Sequence, residues 1–327
     1  MQIEKKAVRN ILVVRNDRFG EFLLNIPVFR ALKETFVSAK IIAVVDPTVE
    51  GLARALPYLD QTIAWGTQGH SWKEKLQLIR LLKREKINIA IMLNPSKEFN
   101  LLTYLARIPL RVGYNRKWGF LLTHKMSDKK ALGLQHEVEY NLELAGLIGA
   151  RTSDNSLTLE ISENLPEKII EEARLNENTD FVILHPWTSD ALKLWPKENF
   201  LGLAKLLHEE LKLKVIIVGG PENLNSSVDF LKAAENPLID LTGKTSLRQL
   251  ALLLKRAKLL VSADSGPVHL ACAMGTPVIA LFRNDLPGKT AKRWGPWGKN
   301  NRVIERDGLA QISAKEVLFQ VKEILKR

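Results

Sequence analysis

The sequence of 327 residues is poor in cysteine and has no long hydrophobic run. Its single cysteine, Cys272, excludes an internal disulfide and fits a reducing compartment. The only continuous apolar run before Gly20 is Ile11 to Val14, which is too short for the core of a secretory signal. No run approaches the roughly 18–20 apolar residues that cross a bilayer. These absences predict a cytoplasmic protein, and a peripheral contact with the inner membrane stays open.

Several cofactor and metal signatures are also missing. No G-x-G-x-x-G follows the first strand, and Gly243-Lys244-Thr245 lacks the upstream glycine that a Walker loop requires. No cysteine and histidine cluster suits zinc, and no paired-aspartate motif suits a metal-bound diphosphate. The sequence therefore predicts neither a cofactor nor a metal ion.

Acidic residues are too few to balance the basic ones. The chain has 48 Lys and Arg against 36 Asp and Glu, a net charge of +12. Residues 1–160 hold 24 basic and 16 acidic side chains, which is +8 of this total. Such a charge calls for an anionic partner: nucleic acid, an anionic membrane face or a phosphorylated glycolipid. Nucleic acid is the weakest of the three, because no recognition motif for it is present.

Apolar runs and amphipathic stretches alternate along both halves of the chain. This pattern predicts an α/β fold with parallel sheets covered on both faces. We expect two Rossmann-like domains, 1–165 and 175–327, joined by a charged connection. A strand over 157–161 would edge the first domain, and a capping box at Ser313 to Glu316 would open the C-terminal helix. In the first domain we expect a strand over 10–15, one helix from Glu21 to about Thr35, and a strand over 40–45.

The most informative stretch lies between residues 258 and 282. A buried strand ends at Asp264-Ser265-Gly266, and Pro267 suits the first turn of a following helix, where no amide donor is required. His269 falls about one turn into that helix. The free amides of a helix N-terminus favour an anion such as phosphate. The alternative is a tight turn with an Asp or Ser cap and a histidine whose hydrogen bonds are satisfied in the core.

Polar residues follow three other strands of the second domain as well. In parallel sheets, ligands bind outside the carboxyl ends of the strands. Hydroxyls and a lysine suit a diphosphate, and a carboxylate suits a ribose diol. The sequence therefore predicts a nucleotide-diphosphate site from Thr188-Ser189 with Lys193, Gly219 to Glu222, Thr242 to Leu247, and Asp264 to Gly266.

Residues 107–130 differ from their surroundings in composition. They carry seven Lys or Arg and one acid, Asp128, with Tyr114, Trp118, Phe120 and His124 interleaved. Basic and aromatic side chains together suit a membrane interface, a sugar or single-stranded nucleic acid. The alternative is a solvated loop whose aromatic rings pack into the core.

Three motifs in order make the chain resemble glycosyltransferase family 9, the lipopolysaccharide heptosyltransferases. The first is Ile11 to Pro27 (ILVVRNDRFGEFLLNIP), and the second is Lys193 to Pro196 (KLWP) after His185-Pro186. The third is Asp264 to Ala271 (DSGPVHLA), followed by Gly275-Thr276-Pro277. The resemblance covers nearly the whole chain. It implies a GT-B fold, in which two Rossmann-like domains face each other across a cleft.

The resemblance also implies a reaction. It is the inverting, metal-independent transfer of a sugar, heptose from ADP-heptose in relatives, to a lipid-linked saccharide of the lipopolysaccharide core. The C-terminal domain would bind the nucleotide-sugar donor, and the N-terminal domain would bind an anionic acceptor presented at the inner face of a bacterial membrane. By motif match, the diphosphate would be bound by Thr188, Ser189 and Lys193, and the ribose by Glu222. The donor sugar and its phosphate would be surrounded by Asp264, Ser265, Gly266 and His269. The acceptor would be bound by Arg18, Arg116, Lys117 and Trp118. Lys193 is also a candidate catalytic residue.

One residue departs from the family pattern. After Gly20, family members place an aspartate as the candidate general base, and this chain has Glu21. Both side chains are carboxylates with similar ordinary pKa values, and glutamate reaches one methylene further. Glu21 is the candidate base and Asp17 the alternative. The departure leaves open a catalytically silent nucleotide-sugar-binding or scaffold protein, and a family member with another donor sugar also stays open.

Overall fold

The computed structural model describes residues 4–326, which divide into two compact units after Ser156. Unit 1 ends there, and unit 2 begins at Leu157. Each unit is built on one six-stranded sheet in which all paired strands are parallel. The predicted α/β class with two Rossmann-like parallel sheets is confirmed.

Unit 1 alternates strands and helices along its described length. Its elements are β1 (Asn10–Arg15), α1 (Phe19–Leu23), α2 (Ile26–Thr35), β2 (Lys40–Val45), α3 (Glu50–Ala53), β3 (Gln61–Ala64), α4 (Trp72–Arg84), β4 (Ile89–Met92), α5 (Lys97–Leu105), β5 (Leu110–Tyr114), β6 (His124–Met126) and α6 (Glu137–Gly146). The strands lie in the order β3-β2-β1-β4-β5-β6.

Strand β1 shows why this sheet is covered on both faces. Its residues Ile11 to Val14 are all fully buried, although successive side chains of a strand point to opposite faces. Leu12 and Val14 pack in one core cluster with Leu78 of α4 and Phe99 of α5. A continuous apolar run of this kind is typical of strands buried on both sides.

The helix predicted from Glu21 to Thr35 is wrong in one respect, because it is two helices. Helix α1 ends at Leu23 and α2 begins at Ile26. Pro27 has no backbone N–H to donate to the carbonyl four residues earlier, so a continuous helix would lose a hydrogen bond there. The Asn25 side chain lies in the break and donates to the Glu21 carbonyl at 2.6 Å. The break therefore holds Glu21 in a helix of five residues, separate from α2.

Unit 2 also alternates strands and helices, and its last helix has 12 residues against 10 for the last helix of unit 1. Its elements are α7 (Glu167–Glu172), β7 (Phe181–His185), α8 (Lys197–Leu211), β8 (Lys214–Ile217), α9 (Leu224–Lys232), β9 (Ile239–Asp240), α10 (Leu247–Arg256), β10 (Leu260–Ala263), α11 (Gly266–Ala273), β11 (Val278–Arg283), α12 (Ala291–Trp294), β12 (Arg302–Arg306) and α13 (Ala314–Leu325). The strands lie in the order β12-β11-β10-β7-β8-β9. At the start of α13 the Ser313 hydroxyl accepts from the Glu316 amide, whereas the Glu316 carboxylate pairs with Arg306 at 2.7 Å.

The strand predicted over 157–161 is wrong, and these residues belong to unit 2. They form no strand, and the Leu159 amide donates to the Ala273 carbonyl at 2.9 Å. Leu157, Leu159 and Ile161 are each buried, which is the alternation that suggested a strand. Such alternation shows that one side of a segment is covered, but not which domain covers it. The division therefore falls after Ser156, earlier than the 165–175 connection expected from sequence.

We predict that Trp195 is a main support of the unit 2 core. Its side chain is fully buried, its indole N–H donates to the Ile312 carbonyl at 2.9 Å, and its ring meets Phe200 edge-on at 4.5 Å. Trp195→Ala should lower the free energy of unfolding by about 3–5 kcal/mol, measured by urea unfolding followed by circular dichroism. The neighbouring Leu194→Ala, at a half-exposed position, should cost about 0.5 kcal/mol or less. Equal losses in the two variants would contradict this role.

Candidate functional site

The predicted donor residues of unit 2 lie at the carboxyl edge of its sheet. Because β7, β8, β9 and β10 are parallel, the turns that follow them share one edge. These turns contain Thr188 with Ser189, Gly219 with Gly220, Thr242 with Gly243, and Asp264 with Ser265. The structure therefore brings together the four polar strand ends that the sequence pattern selected.

Lys193 and Asp264 form an ion pair at this edge. Lys193 lies in a 3-10 turn (Ala191–Lys193) capped by Asp190, which accepts from the Leu192 amide at 3.1 Å. Lys289 also pairs with Asp190 at 3.2 Å, which braces the turn from the segment after β11. The exposed fractions of the Lys193 and Asp264 side chains are 17% and 11%. The ammonium that the sequence assigned to a diphosphate is thus already balanced by a carboxylate of the same site.

Helix α11 begins at Gly266 with Pro267 in its first turn, as the sequence predicts. Ser265 occupies the cap position but makes no cap hydrogen bond with its side chain. Its hydroxyl instead lies 2.8 Å from the Ser262 hydroxyl, which lies 3.1 Å from His185 Nδ1. The serine cap, one of the two caps in the alternative interpretation of this turn, is therefore not formed.

Two buried histidines accompany α11, and only one of them was selected from the sequence. His269, on α11, is 4% exposed. His185, at the end of β7, was not selected because its imidazole meets the α11 turn only through Ser262. Burial lowers the pKa of His185 to about 4, so its ring is neutral at neutral pH. The ring therefore acts as a hydrogen-bonding group in this turn and adds no charge to it.

The turn after β8 contains two glycines, and Gly219 is the more tightly enclosed of them. A Cβ at Gly219 would lie 2.4 Å from Trp187 Nε1, and a Cβ at Gly220 would lie 2.3 Å from the Glu222 carboxylate. Glu222 is exposed in the 3-10 turn Pro221–Asn223, so its carboxylate folds back over the glycine. Within residues 4–326, the Trp187 indole N–H and the Thr242 hydroxyl are buried without a hydrogen-bond partner. Both side chains offer polar atoms beside Gly219; Thr242 belongs to a strand end that the sequence pattern selected, whereas Trp187 was not selected.

In unit 1 the end of β1 carries a buried cluster of charges. Arg15 is 3% exposed and donates from Nε to Asp17 and from Nη2 to Glu21, both at 2.8 Å. Its Nη1 lies 3.6 Å from Glu137, which in turn pairs with Lys130 at 2.5 Å. Arg15 and Glu137 are far apart in the sequence and were not selected from it, and Lys130 was selected only as part of the basic segment 107–130. Their only sequence signal is an arginine that ends an otherwise apolar strand.

The two candidate bases differ in their affinity for a proton. Burial raises the pKa of Asp17 to about 7 against the charge of Arg15, and the nearby Glu21 raises it further. Burial alone would raise the pKa of Glu21 too, but the charge of Arg15, the hydrogen bond with Asp17 and the charge of Arg18 lower it to about 2. Two adjoining carboxyls titrate as a pair, so one holds its proton much more tightly than the other. The pair therefore combines an ionised carboxylate with one that titrates near neutral pH.

The basic and aromatic segment 107–130 is not a single loop. It contains β5 and β6, which complete the sheet, and a 3-10 turn at Gly119–Leu121. Tyr114 is buried, whereas Trp118 and Phe120 are 43% and 72% exposed. Lys130 is buried against Glu137, so including it in an acceptor-recruiting surface is wrong. The proposed acceptor residues Arg116, Lys117 and Trp118 lie in the exposed turn after β5, and Arg18 is exposed just before α1.

Across residues 4–326, no three or more His, Cys, Asp and Glu side chains are grouped so that they could hold a metal ion. In the same range, no helix has both the length and the apolar character needed to span a bilayer.

Known proteins resemble this chain in sequence and in fold. The sequence model of glycosyltransferase family 9 (heptosyltransferase) matches residues 75–318. The lipopolysaccharide core heptosyltransferase OpsX of Haemophilus influenzae is 23% identical over 315 residues, which cover 93% of this chain and 86% of that protein. A family 9 glycosyl transferase structure from Veillonella parvula aligns with a TM-score of 0.87 and 21% identity, over 100% of this chain and 99% of the other. The ADP-heptose lipopolysaccharide heptosyltransferase II structure of E. coli aligns with a TM-score of 0.83 and 23% identity, over 97% and 98%. These alignments confirm the GT-B fold.

We predict a carboxyl group that titrates near pH 7 in folded unit 1. Between the ordinary pKa of an aspartate and about 7, the folded protein binds a proton at Asp17 that the unfolded chain has released. Stability contributed by this group therefore falls as the pH rises through that window. Asp17→Asn should remove the fall, measured as the free energy of unfolding between pH 5 and pH 8. Glu34→Gln, at an exposed carboxylate of α2, should keep the parental profile. A parental profile in Asp17→Asn would show that Asp17 does not hold the proton.

Proposed function

The chain belongs to glycosyltransferase family 9 and is a glycosyltransferase, and we propose that it transfers heptose from ADP-heptose to a lipopolysaccharide core. The acceptor is this core or a related lipid-linked saccharide, and the transfer proceeds with inversion and without a metal ion. The observation that supports this most directly is the gathering of hydroxyls, Lys193 and Asp264 at one edge of the unit 2 sheet. The E. coli neighbour, whose title names ADP-heptose, supports the choice of donor.

Unit 2 binds the donor in this proposal. Hydroxyls and the backbone amides at the start of α11 donate hydrogen bonds to the diphosphate oxygens. A helix N-terminus without a side-chain cap leaves such amide donors for an anion. The Glu222 carboxylate accepts from the ribose hydroxyls, and the unsatisfied Trp187 and Thr242 groups border the same turn. The residues assigned to the donor are Thr188, Ser189, Lys193, Glu222, Asp264, Ser265, Gly266 and His269.

We predict that Lys193→Ala weakens donor binding by about 1.5–3 kcal/mol, the contribution of one charge-assisted contact. The variant also leaves the Asp264 carboxylate without its ammonium partner, and that charge repels a diphosphate. Calorimetry with ADP-heptose measures the loss. Lys232→Ala, at an exposed lysine of α9, is the matched control and should bind as the parent does.

The same measurement tests the identity of the donor. A panel of ADP-, GDP-, UDP- and CMP-linked sugars should raise the melting temperature of the parent most with the ADP sugar. Stronger stabilisation by another nucleotide would replace ADP-heptose as the donor. Parental affinity in Lys193→Ala would remove Lys193 from the site.

Unit 1 supplies the base and binds the acceptor. As the acceptor hydroxyl oxygen bonds to the anomeric carbon, the bond from that carbon to the diphosphate breaks and ADP leaves. The hydroxyl proton passes to a carboxylate of the Asp17–Glu21 pair. Glu21 is the proposed base because it follows Gly20, where the family places its aspartate, and Arg15 keeps it ionised. Asp17, whose pKa near 7 makes it a stronger proton acceptor, is the alternative.

We predict that Glu21→Gln lowers kcat by about 10²–10⁴-fold, because the amide keeps the size of the side chain and cannot accept the proton. ADP-heptose affinity should stay at the parental value, since the donor residues belong to unit 2. Glu21→Asp restores the family residue and should keep part of the activity. Asp17→Asn separates the two carboxylates: a larger fall in kcat in this variant than in Glu21→Gln would make Asp17 the base. Absence of transfer in the parent itself would favour a catalytically silent nucleotide-sugar-binding protein.

The acceptor is anionic and lipid-linked in this proposal. Arg18, Arg116, Lys117 and Trp118 are the exposed side chains assigned to it, and they offer three positive charges and one aromatic face. Arg116 is partly balanced by Asp128 at 2.7 Å, which fixes the position of its guanidinium. An acceptor of this kind lies at the inner face of a bacterial membrane, where we place the protein as a cytoplasmic, peripheral enzyme.

A further inference from the structure

Large apolar side chains are exposed on neighbouring elements of unit 1. Trp72 and Leu76 of α4 are 61% and 48% exposed, and Leu105 of α5 is 38% exposed. Trp118, just before the 3-10 turn Gly119–Leu121, is 43% exposed, and Phe120, within that turn, is 72% exposed. Helix α4 contacts α5, and α5 contacts this turn. We call the surface formed by these five side chains the α4–α5 face.

Contacts between these elements bring part of the face together in one groove. Trp72 and Trp118 line one open groove together with Lys75, Lys97 and Leu101. Lys75 lies over the Trp72 ring at 5.4 Å, and Lys97 lies over the Trp118 ring at 6.0 Å. Leu76 is one helical turn from Trp72, and residues four apart in a helix share a side. The groove is therefore lined by aromatic rings, each with a lysine ammonium above it.

Positive charge is concentrated around the same surface. Helix α4 carries five basic side chains and one acidic one, and segment 107–130 carries seven and one. The net charges of these two stretches are +4 and +6, but Lys130 of the second stretch is buried against Glu137 and does not contribute to the surface. Glu98 also lines the groove, and its carboxylate is paired with Lys75 at 3.2 Å. The face is thus an apolar and aromatic patch inside a strongly positive surround.

The face adjoins the edge of the sheet that carries the candidate base. Helices α4 and α5 begin after the carboxyl ends of β3 and β4, and the candidate base follows the carboxyl end of β1. Asn16, in the turn beside Asp17, donates to the Trp65 carbonyl at 3.0 Å. The Trp65 indole donates to Glu98 of α5 at 3.3 Å. Two hydrogen bonds therefore link the turn of the candidate base to the helix that lines the groove.

We propose that the α4–α5 face docks on an anionic bilayer surface. Tryptophan and phenylalanine insert at the level of the lipid headgroups, and lysines beside them meet lipid phosphates. Anionic lipids attract a basic surface and are the partner that this combination fits. The inference rests on the proposed function in one respect, since a lipid-linked acceptor explains why the contact adjoins the acceptor edge. Apart from Trp118, which the proposed function assigns to the acceptor, the face contains no residue of the proposed transfer chemistry.

The test measures binding of the full chain to vesicles without donor or acceptor. The parent should co-sediment with vesicles of phosphatidylcholine and phosphatidylglycerol, less with phosphatidylcholine alone, and less at high salt. The variant Trp72→Ala, Leu76→Ala, Phe120→Ala should lower the partition coefficient about tenfold or more, because three side chains that would enter the interface are lost. The double variant Lys73→Gln, Lys97→Gln should mainly weaken the part of vesicle binding that depends on salt concentration. The triple variant should also lose part of the blue shift in tryptophan fluorescence on vesicle addition.

A matched control removes three exposed apolar side chains elsewhere. Val37→Ala, Val303→Ala, Phe319→Ala changes positions that are 77%, 41% and 59% exposed, and it should bind vesicles as the parent does. Equal vesicle binding by the parent and the Trp72 triple variant overturns the proposal. A change of oligomeric state in that variant, seen by sedimentation velocity with unchanged vesicle binding, overturns it in favour of a second copy of the chain. Release from vesicles by a soluble, deacylated, phosphorylated saccharide overturns it in favour of the acceptor as occupant of the groove.

These outcomes are distinct from failure of the proposed function. A parent that binds anionic vesicles but transfers no sugar keeps the docking surface and loses the enzymatic proposal. A parent that transfers sugar but does not bind vesicles keeps the enzymatic proposal and overturns the docking surface. ADP affinity, measured by calorimetry, should be the same in the parent and the Trp72 triple variant and shows that unit 2 is folded.

Discussion

A parallel sheet that is buried on both faces leaves only the turns at its ends for polar chemistry. In both units central strands contain fully buried apolar runs, as Ile11 to Val14 of β1 and Phe181 to Leu184 of β7 show. The charged side chains of the candidate sites therefore lie at the last residue of a strand or in the turn after it, and parallel pairing brings these positions to one edge. The Arg15 cluster, the Lys193–Asp264 pair and the glycines after β8 all occur there. The chemistry of this protein depends on that constraint.

The two units treat buried charge in different ways. Unit 2 pairs Lys193 with Asp264 and Lys289 with Asp190 at one turn, and hydroxyls and a neutral imidazole lie nearby. Unit 1 places one arginine between three carboxylates and joins a buried lysine to one of them. Removing one partner from such a buried network leaves a charge uncompensated, which costs much more than a surface ion pair contributes. The difference suits an anion-binding turn in unit 2 and a proton-accepting carboxylate in unit 1.

Glu21 and Asp17 illustrate how the same side-chain chemistry acquires two roles. Both are carboxylates two to six residues beyond Arg15, and both touch its guanidinium. One is held ionised and the other titrates near neutral pH, because a single arginine cannot neutralise two neighbouring buried carboxylates equally. The departure from aspartate at position 21 is thus accompanied by a second carboxylate at position 17, in contact with the same guanidinium. Glu21, at the position of the family's aspartate, and Asp17 therefore belong to one ion-paired cluster around Arg15.

The amino-acid sequence by itself determined the α/β class, the parallel sheets, the polar strand ends of unit 2 and the family. These properties follow from local patterns: apolar runs of strand length, glycine and proline at turns, and motifs whose residues are close along the chain. Only the tertiary structure decided that residues 157–161 pack on unit 2, that Lys130 is buried against Glu137, and that Arg15 joins the two candidate bases. It also decided that Trp72 and Trp118 line one groove, although 46 positions separate them in the sequence. The physical reason is that burial, ion pairing and pKa depend on neighbours from distant segments, and no periodicity or spacing records which segments meet.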